Sequence, residues 1–129
     1  MRAIVVDDFI TMRRVVRSLL RETGFADVDI VEASNGAAAL DRLRDETFDV
    51  VVTDIEIPTL GGFELLSAIR RDARWRHLPV LMVTAEATKE EIVRCTQAGA
   101  TAYLVKPFTR AVLEEKLRSA IPSAFASNE

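Results

Sequence analysis

Five times along the chain a short apolar run rich in β-branched residues gives way to a stretch with helical spacing, and this alternation limits the fold more than any other feature. The runs are Ala3 to Val6, Val28 to Val31, Val50 to Thr53, Val80 to Val83 and Ala102 to Val105, each of strand length. Four are apolar almost throughout, as strands covered on both faces tend to be. The second is different: Asp27-Val28-Asp29-Ile30 alternates polar with apolar, which suits an edge strand. Of the helical stretches the clearest sets Met12, Val15, Val16, Leu19 and Leu20 on one face, with Arg13, Arg14, Arg17 and Arg21 pointing elsewhere. Gly24 closes that helix. Asn35 is a good cap for a second helix that turns Leu40 and Leu43 inward. A third carries Leu65, Leu66 and Ile69 and ends before Pro79, and a fourth carries Ile92 and Val93 and stops at Gly99. The last runs from Thr109 with Leu113, Leu117, Ala120 and Ile121 on its buried face.

Five such units joined by short loops predict an α/β fold with one doubly wound, five-stranded parallel sheet, because crossovers of this kind are almost always right-handed. The flavodoxin-like (βα)5 strand order 2-1-3-4-5 is the natural expectation. A chain of 129 residues with 49% hydrophobic content can bury its own core, so one domain is expected over residues 1–121. The small, polar tail at 122–129 is expected to fray. The apolar start is cut short by Asp7 and Asp8, and no run approaches the roughly 18 residues of a membrane span. A signal peptide and a membrane contact are therefore not expected, and the location should be cytoplasmic. One cysteine, Cys95, gives no disulfide framework and reads as a small apolar helix residue. A net charge of -3 argues against nucleic-acid binding, which needs a basic stripe. The arginines of the first helix read as a solvated face, Trp75 as a packing anchor and His77 as a surface residue.

In an open parallel sheet the site lies beyond the carboxyl ends of the strands, where the strand order reverses. At those ends stand Asp7 and Asp8 after the first run, Asp54 after the third, Thr84 after the fourth and Lys106 after the fifth. Two carboxylates ~4 Å apart repel by about 4 kcal/mol at an effective dielectric of 20, so three of them need compensation. A hard divalent cation supplies it, and magnesium is favoured because it takes one or two carboxylates together with waters and phosphate oxygens. Asp8 and Asp54 would bind it directly, and Asp7 through water. An ionised carboxylate is also a nucleophile toward phosphorus. Lys106 would then neutralise charge on the transferring oxygens while the Thr84 hydroxyl donates to one of them.

These residues, with the strings VDDFITMRR from Val6, LPVLMVTAE from Leu78, QAGA from Gln97 and VKPFT from Val105, and Pro58 and Gly62 in the loop after Asp54, resemble the response-regulator receiver family. Within it the likeness is to CheY-like single-domain chemotaxis regulators, and it runs from Val5 to Leu117. The resemblance implies a stand-alone response regulator of a two-component phosphorelay, not an enzyme in the usual sense. A histidine kinase would phosphorylate Asp54, with Mg2+ held by Asp8, Asp54 and the backbone carbonyl of Glu56. Thr84 would move toward the phosphoryl group and Tyr103 rotate inward, remodelling a partner face that includes Lys89, Ile92, Tyr103 and Lys116. That face would act on a flagellar motor switch protein or another protein output, with a phosphatase as a further partner and the regulator itself a monomer. The Lys106-Pro107 bond is often cis in such proteins.

Two departures bear on the site mouth. Glu56 stands where chemotaxis regulators commonly carry Asn, and with Glu86 it places two acids there, which is expected to slow labelling by small anionic donors. Gly61 replaces a frequent Asp and reads as a plain turn. An alternative keeps the chemistry but makes the chain a phosphate sink or relay intermediate. A remoter one is a haloacid-dehalogenase-like phosphatase, whose DxD pattern Asp54-Ile55-Glu56 resembles, although the nucleophile of that class follows the first strand.

Overall fold

The structure, a computed structural model, describes residues 1–122. In chain order its strands are β1 (Ala3–Val6), β2 (Ile30–Ala33), β3 (Val50–Asp54), β4 (Val80–Thr84) and β5 (Ala102–Val105). The helices are α1 (Ile10–Glu22), α2 (Gly36–Asp45), α3 (Gly62–Arg71), α4 (Lys89–Ala98) and α5 (Arg110–Ala120). All strand pairs are parallel, and the order is β2-β1-β3-β4-β5, as the alternation predicts. Of the polar tail expected to fray at 122–129, residues 123–129 lie outside the described residues.

Because successive side chains of a strand point to opposite faces, each central strand feeds two cores. Ile4 and Val6 of β1 face one core with Val51, Val80 and Met82, covered by Ala39 and Leu43 of α2, Leu65, Leu66 and Ile69 of α3 and Cys95 of α4. Ala3 and Val5 face the other with Val52, Leu81 and Leu104, covered by Val16 and Leu20 of α1 and Leu113 and Leu117 of α5. Asn35, Thr88 and Thr109 cap α2, α4 and α5 through side-chain oxygens that accept from Ala38, Glu91 and Val112 N–H, satisfying donors that a helix start otherwise leaves open. Gly99 ends α4 at φ +92°, a left-handed conformation that residues with a Cβ disfavour.

The second strand differs from expectation. Asp27–Asp29 is a 3-10 turn, and β2 begins two residues later than predicted. The alternation that suggested an edge strand belongs to that turn, where Val28 is 84% exposed; β2 lies at the edge all the same. Arg17 accounts for the turn, since its guanidinium donates to the Asp27 carbonyl and carboxylate at 3.0 Å each and to the Ile30 carbonyl at 2.7 Å. On the helices, Val15 and Val93 prove exposed, at 45% and 44%, and Cys95 instead of Val93 is the residue α4 buries. The basic face of α1 is also not simply solvated. Arg13 and Arg17 both hold Glu32 of β2, at 2.9 and 2.7 Å. Trp75 packs half-buried against the first core, with Arg74 stacked over its ring at 4.4 Å, and His77 is exposed.

Candidate functional site

The carboxyl ends of β1, β3, β4 and β5 open into a cleft of about 570 Å3 lined by Asp8, Asp54, Glu56, Thr84, Glu86, Glu91 and Lys106, among others. Asp7 follows β1 and is 3% exposed. It is fixed from several directions: its N–H donates to the Ala33 carbonyl at 3.1 Å, its carboxylate accepts from Phe9 N–H at 2.9 Å, and its carbonyl accepts from Arg13 at 2.7 Å. Asp8 is exposed toward the cleft. Asp54 is the last residue of β3, its side chain 12% exposed. The chain leaves β3 in a tight loop, and Gly62 at the start of α3 is packed so closely that a Cβ would strike the Asp54 carbonyl oxygen and the Ile55 Cα. Only glycine allows α3 to begin this near the acceptor strand.

Asp7, Asp8 and Asp54 each offer a carboxylate oxygen within 4.8 Å of the others. Opposed ligands of magnesium, bound at 2.0–2.1 Å, stand about 4.2 Å apart, a separation comparable to the spread of these hard oxygen donors. The residues fit such an ion. Lys106 supplies part of the compensating charge itself: its Nζ lies 2.7 Å from Asp54 Oδ2 and 3.3 Å from Asp7 Oδ2. Burial works against the ammonium, but the hydrogen bond and charge of Asp54, and then Asp7, outweigh it and hold the Lys106 pKa above its ordinary value. The Lys106 N–H is tied to the Thr84 carbonyl at 2.8 Å, and the Lys106-Pro107 bond is cis.

The structure thus brings together Asp7, Asp8, Asp54 and Lys106, as the strand ends imply. Thr84 lines the same cleft, yet its hydroxyl is engaged elsewhere. Its one proton is shared between Glu91 Oε1 at 2.6 Å and the Glu86 carbonyl at 2.8 Å, and its oxygen accepts from Glu86 N–H at 3.1 Å. Glu56 is exposed and touches the acceptor through its backbone, its N–H reaching Asp54 Oδ1 at 3.3 Å. Among the described residues Lys106 pairs with Asp54 and Asp7, not with Glu56. On the expected partner face Tyr103 is half-buried on β5 with the Lys116 ammonium 5.6 Å from its ring centroid. Both line a shallow groove of about 350 Å3. Lys89 and Ile92, in the first turn of α4, do not line that groove.

Two contributors are absent from the sequence reading. Glu91 was visible in principle, because Thr88-x-x-Glu91 is a capping-box pattern that places an acid in the first turn of α4. Arg13 as a support for the Asp7 backbone had no local signal, since the contact depends on how α1 docks.

The family model for the response regulator receiver domain matches residues 3–118. A doubly wound sheet whose strand ends gather three acids and a lysine, matched over that span, is a receiver domain, and the chain belongs to the response regulator receiver family. Within the family it is CheY-like. It is similar to chemotaxis protein CheY of Pseudomonas aeruginosa, at 50% identity over 91% of this chain and 93% of the relative. It is also similar to CheY-3 of Vibrio cholerae, at 51% over 91% and 88%. Among solved structures, CheY4 of Vibrio cholerae superposes with a TM-score of 0.84 at 32% identity, over 93% of this chain and 98% of that one. A putative response regulator from Chloroflexus aurantiacus reaches 0.87 at 26% identity, over 94% and 97%. Among the described residues no helix is long and apolar enough to cross a membrane.

Proposed function

We propose that this chain is a cytoplasmic, stand-alone switch that receives a phosphoryl group on Asp54 from the phosphohistidine of a histidine kinase. The observation that carries the reading is the Lys106 ammonium 2.7 Å from the Asp54 carboxylate, with Asp7 and Asp8 beside it. An ionised Asp54 oxygen attacks phosphorus as the P–N bond to the donor imidazole breaks, the bonding pair returning to the imidazole nitrogen, so no base is required. Asp8, Asp54 and the Glu56 carbonyl, with Asp7 through water, would hold Mg2+. Its part is to neutralise charge on the phosphoryl oxygens. Lys106 stabilises the same charge from the other side, and the Thr84 hydroxyl, once turned inward, donates to a phosphoryl oxygen.

The likeness to chemotaxis proteins supports an output on a flagellar motor switch protein through α4, β5 and α5, with Lys89, Ile92, Tyr103 and Lys116 in contact. The sign of that output is read as tighter binding of a switch-protein peptide after phosphorylation. A phosphate sink would show fast phosphoryl turnover and no such gain.

Incubation with acetyl phosphate and magnesium, followed by intact mass, is expected to add one phosphoryl mass to the wild type and none to Asp54→Asn or to the wild type without magnesium. Glu56→Asn is expected to label faster than the wild type at matched ionic strength. A failure to label Asp54 both with acetyl phosphate and with a panel of histidine kinases overturns the proposal.

A further inference from the structure

We infer that Glu91 is a positioning residue that restrains the switch hydroxyl: it holds Thr84 away from Asp54, and a phosphoryl group must displace it to be bound. The inference rests on the reading of Asp54 as phosphoryl acceptor.

Thr84 has one hydroxyl proton. Its oxygen lies 2.6 Å from Glu91 Oε1 and 2.8 Å from the Glu86 carbonyl, two acceptors that compete for that proton, and the closer, charged one takes the larger share. The shorter contact lies in the range of a charge-assisted bond to a carboxylate. Thr84 is 6% exposed, so water competes poorly for it. A phosphoryl oxygen on Asp54 would need the same proton, and the two acceptors therefore exclude one another. Every fraction of Thr84 held by Glu91 is a fraction unavailable to the phosphoryl group, which lowers its apparent affinity.

Released, Glu91 would have a second partner, the backbone N–H of Thr88. Thr88-x-x-Glu91 opens α4 as a capping box, and half of the box is formed: the Thr88 hydroxyl accepts from Glu91 N–H at 3.1 Å. In a complete box the acid reaches back to the backbone N–H of the cap residue. Here the Glu91 carboxylate goes to Thr84 instead. It can serve either the switch hydroxyl or the first turn of its own helix, and the exchange carries the state of the phosphorylation site to the residue next to Lys89.

The test uses beryllofluoride, a phosphoryl mimic, titrated into the full chain at saturating magnesium and followed by 19F NMR. Glu91→Ala is expected to bind it roughly tenfold tighter or more, the scale of one hydrogen bond to a charged group. Glu91→Gln keeps an acceptor oxygen without the charge and should fall between the wild type and Glu91→Ala. Glu90→Gln, an exposed acid one residue away, should leave it unchanged. In the wild type the Thr88 amide signal should shift on binding, and in Glu91→Ala it should not. If Glu91→Gln or Glu90→Gln tightens binding as much as Glu91→Ala, the effect is one of charge and the restraint is overturned. Equal affinity of wild type and Glu91→Ala overturns it too, while leaving Asp54 as the acceptor. If neither binds the mimic, the reading of Asp54 falls and the restraint with it.

Discussion

The two edges of the sheet are held in different ways. At the β2 edge, Glu32 receives Arg13 and Arg17 from α1 at 2.9 and 2.7 Å, and the same arginines tie down the carbonyls of Asp7, Asp27 and Ile30. All three side chains of that clamp are at most 22% exposed. Beneath it α1 buries Val16 and Leu20. At the β5 edge, α4 buries only Cys95, β5 has one buried residue, Leu104, and Tyr103 is covered by a lysine. Few buried apolar contacts mean a low cost of local opening. The edge that carries the Asp7 loop is fixed, and the edge beside Thr84 is left free to rearrange. That is the arrangement the proposed switch would need, because its site must keep its geometry while the proposed output face moves.

The largest effect should come from the cores under the two edges. Leu20→Ala removes a side chain with no exposure and should cost about 2–5 kcal/mol. Ile92→Ala, on the half-buried face of α4, should cost about 1 kcal/mol. Urea melts with unchanged slopes would read both. Equal losses would break the comparison, since α4 would then be as firmly packed as α1.

The clamp comes next. Glu32→Gln should cost about 1–3 kcal/mol at neutral pH, the scale of losing hydrogen bonds to charged groups. Burial alone would raise the Glu32 pKa, but hydrogen bonds from Arg17 and Arg13 and their charge reverse this and hold it below the ordinary 4.5. A carboxylate so depressed stabilises the fold above its unfolded value and loses that contribution as pH falls through the folded one. The wild type should therefore weaken from about pH 4.5 downward more steeply than Glu32→Gln. Parallel pH profiles would show that the clamp contributes nothing specific to the β2 edge.

How far the sequence disclosed this follows from which contacts are local. The strands other than β2 were legible because their apolar runs are set by burial on both faces, and the acids and Lys106 because strand ends in such a sheet must converge. The start of β2 was not, since Asp27-Val28-Asp29 alternates as a strand would, and only the distant Arg17 curls it into a turn. Thr84 was placed at the cleft by its strand end, but the contact of its hydroxyl with Glu91, seven residues on, was not legible, because it depends on the docking of an element that no local pattern encodes. Val93 was read as core from apolar character alone, while packing chose Cys95.

The smallest effect concerns the cover of Tyr103. The Lys116 ammonium stands 5.6 Å from the ring centroid, within reach of a cation–π contact that at a half-exposed site contributes about 0.5–1 kcal/mol. Lys116→Met keeps an unbranched apolar stem over the ring while removing the charge, so it should cost no more than about 0.5 kcal/mol. Tyr103 is the single tyrosine of the chain, and its ring resonances therefore report on the cover directly. They should shift in Lys116→Met while the amides of α1 and β2 stay in place. A stability loss larger than that of Glu32→Gln would reverse the order of the two edges, because β5 would then be held by a single charge more firmly than β2 is by its clamp.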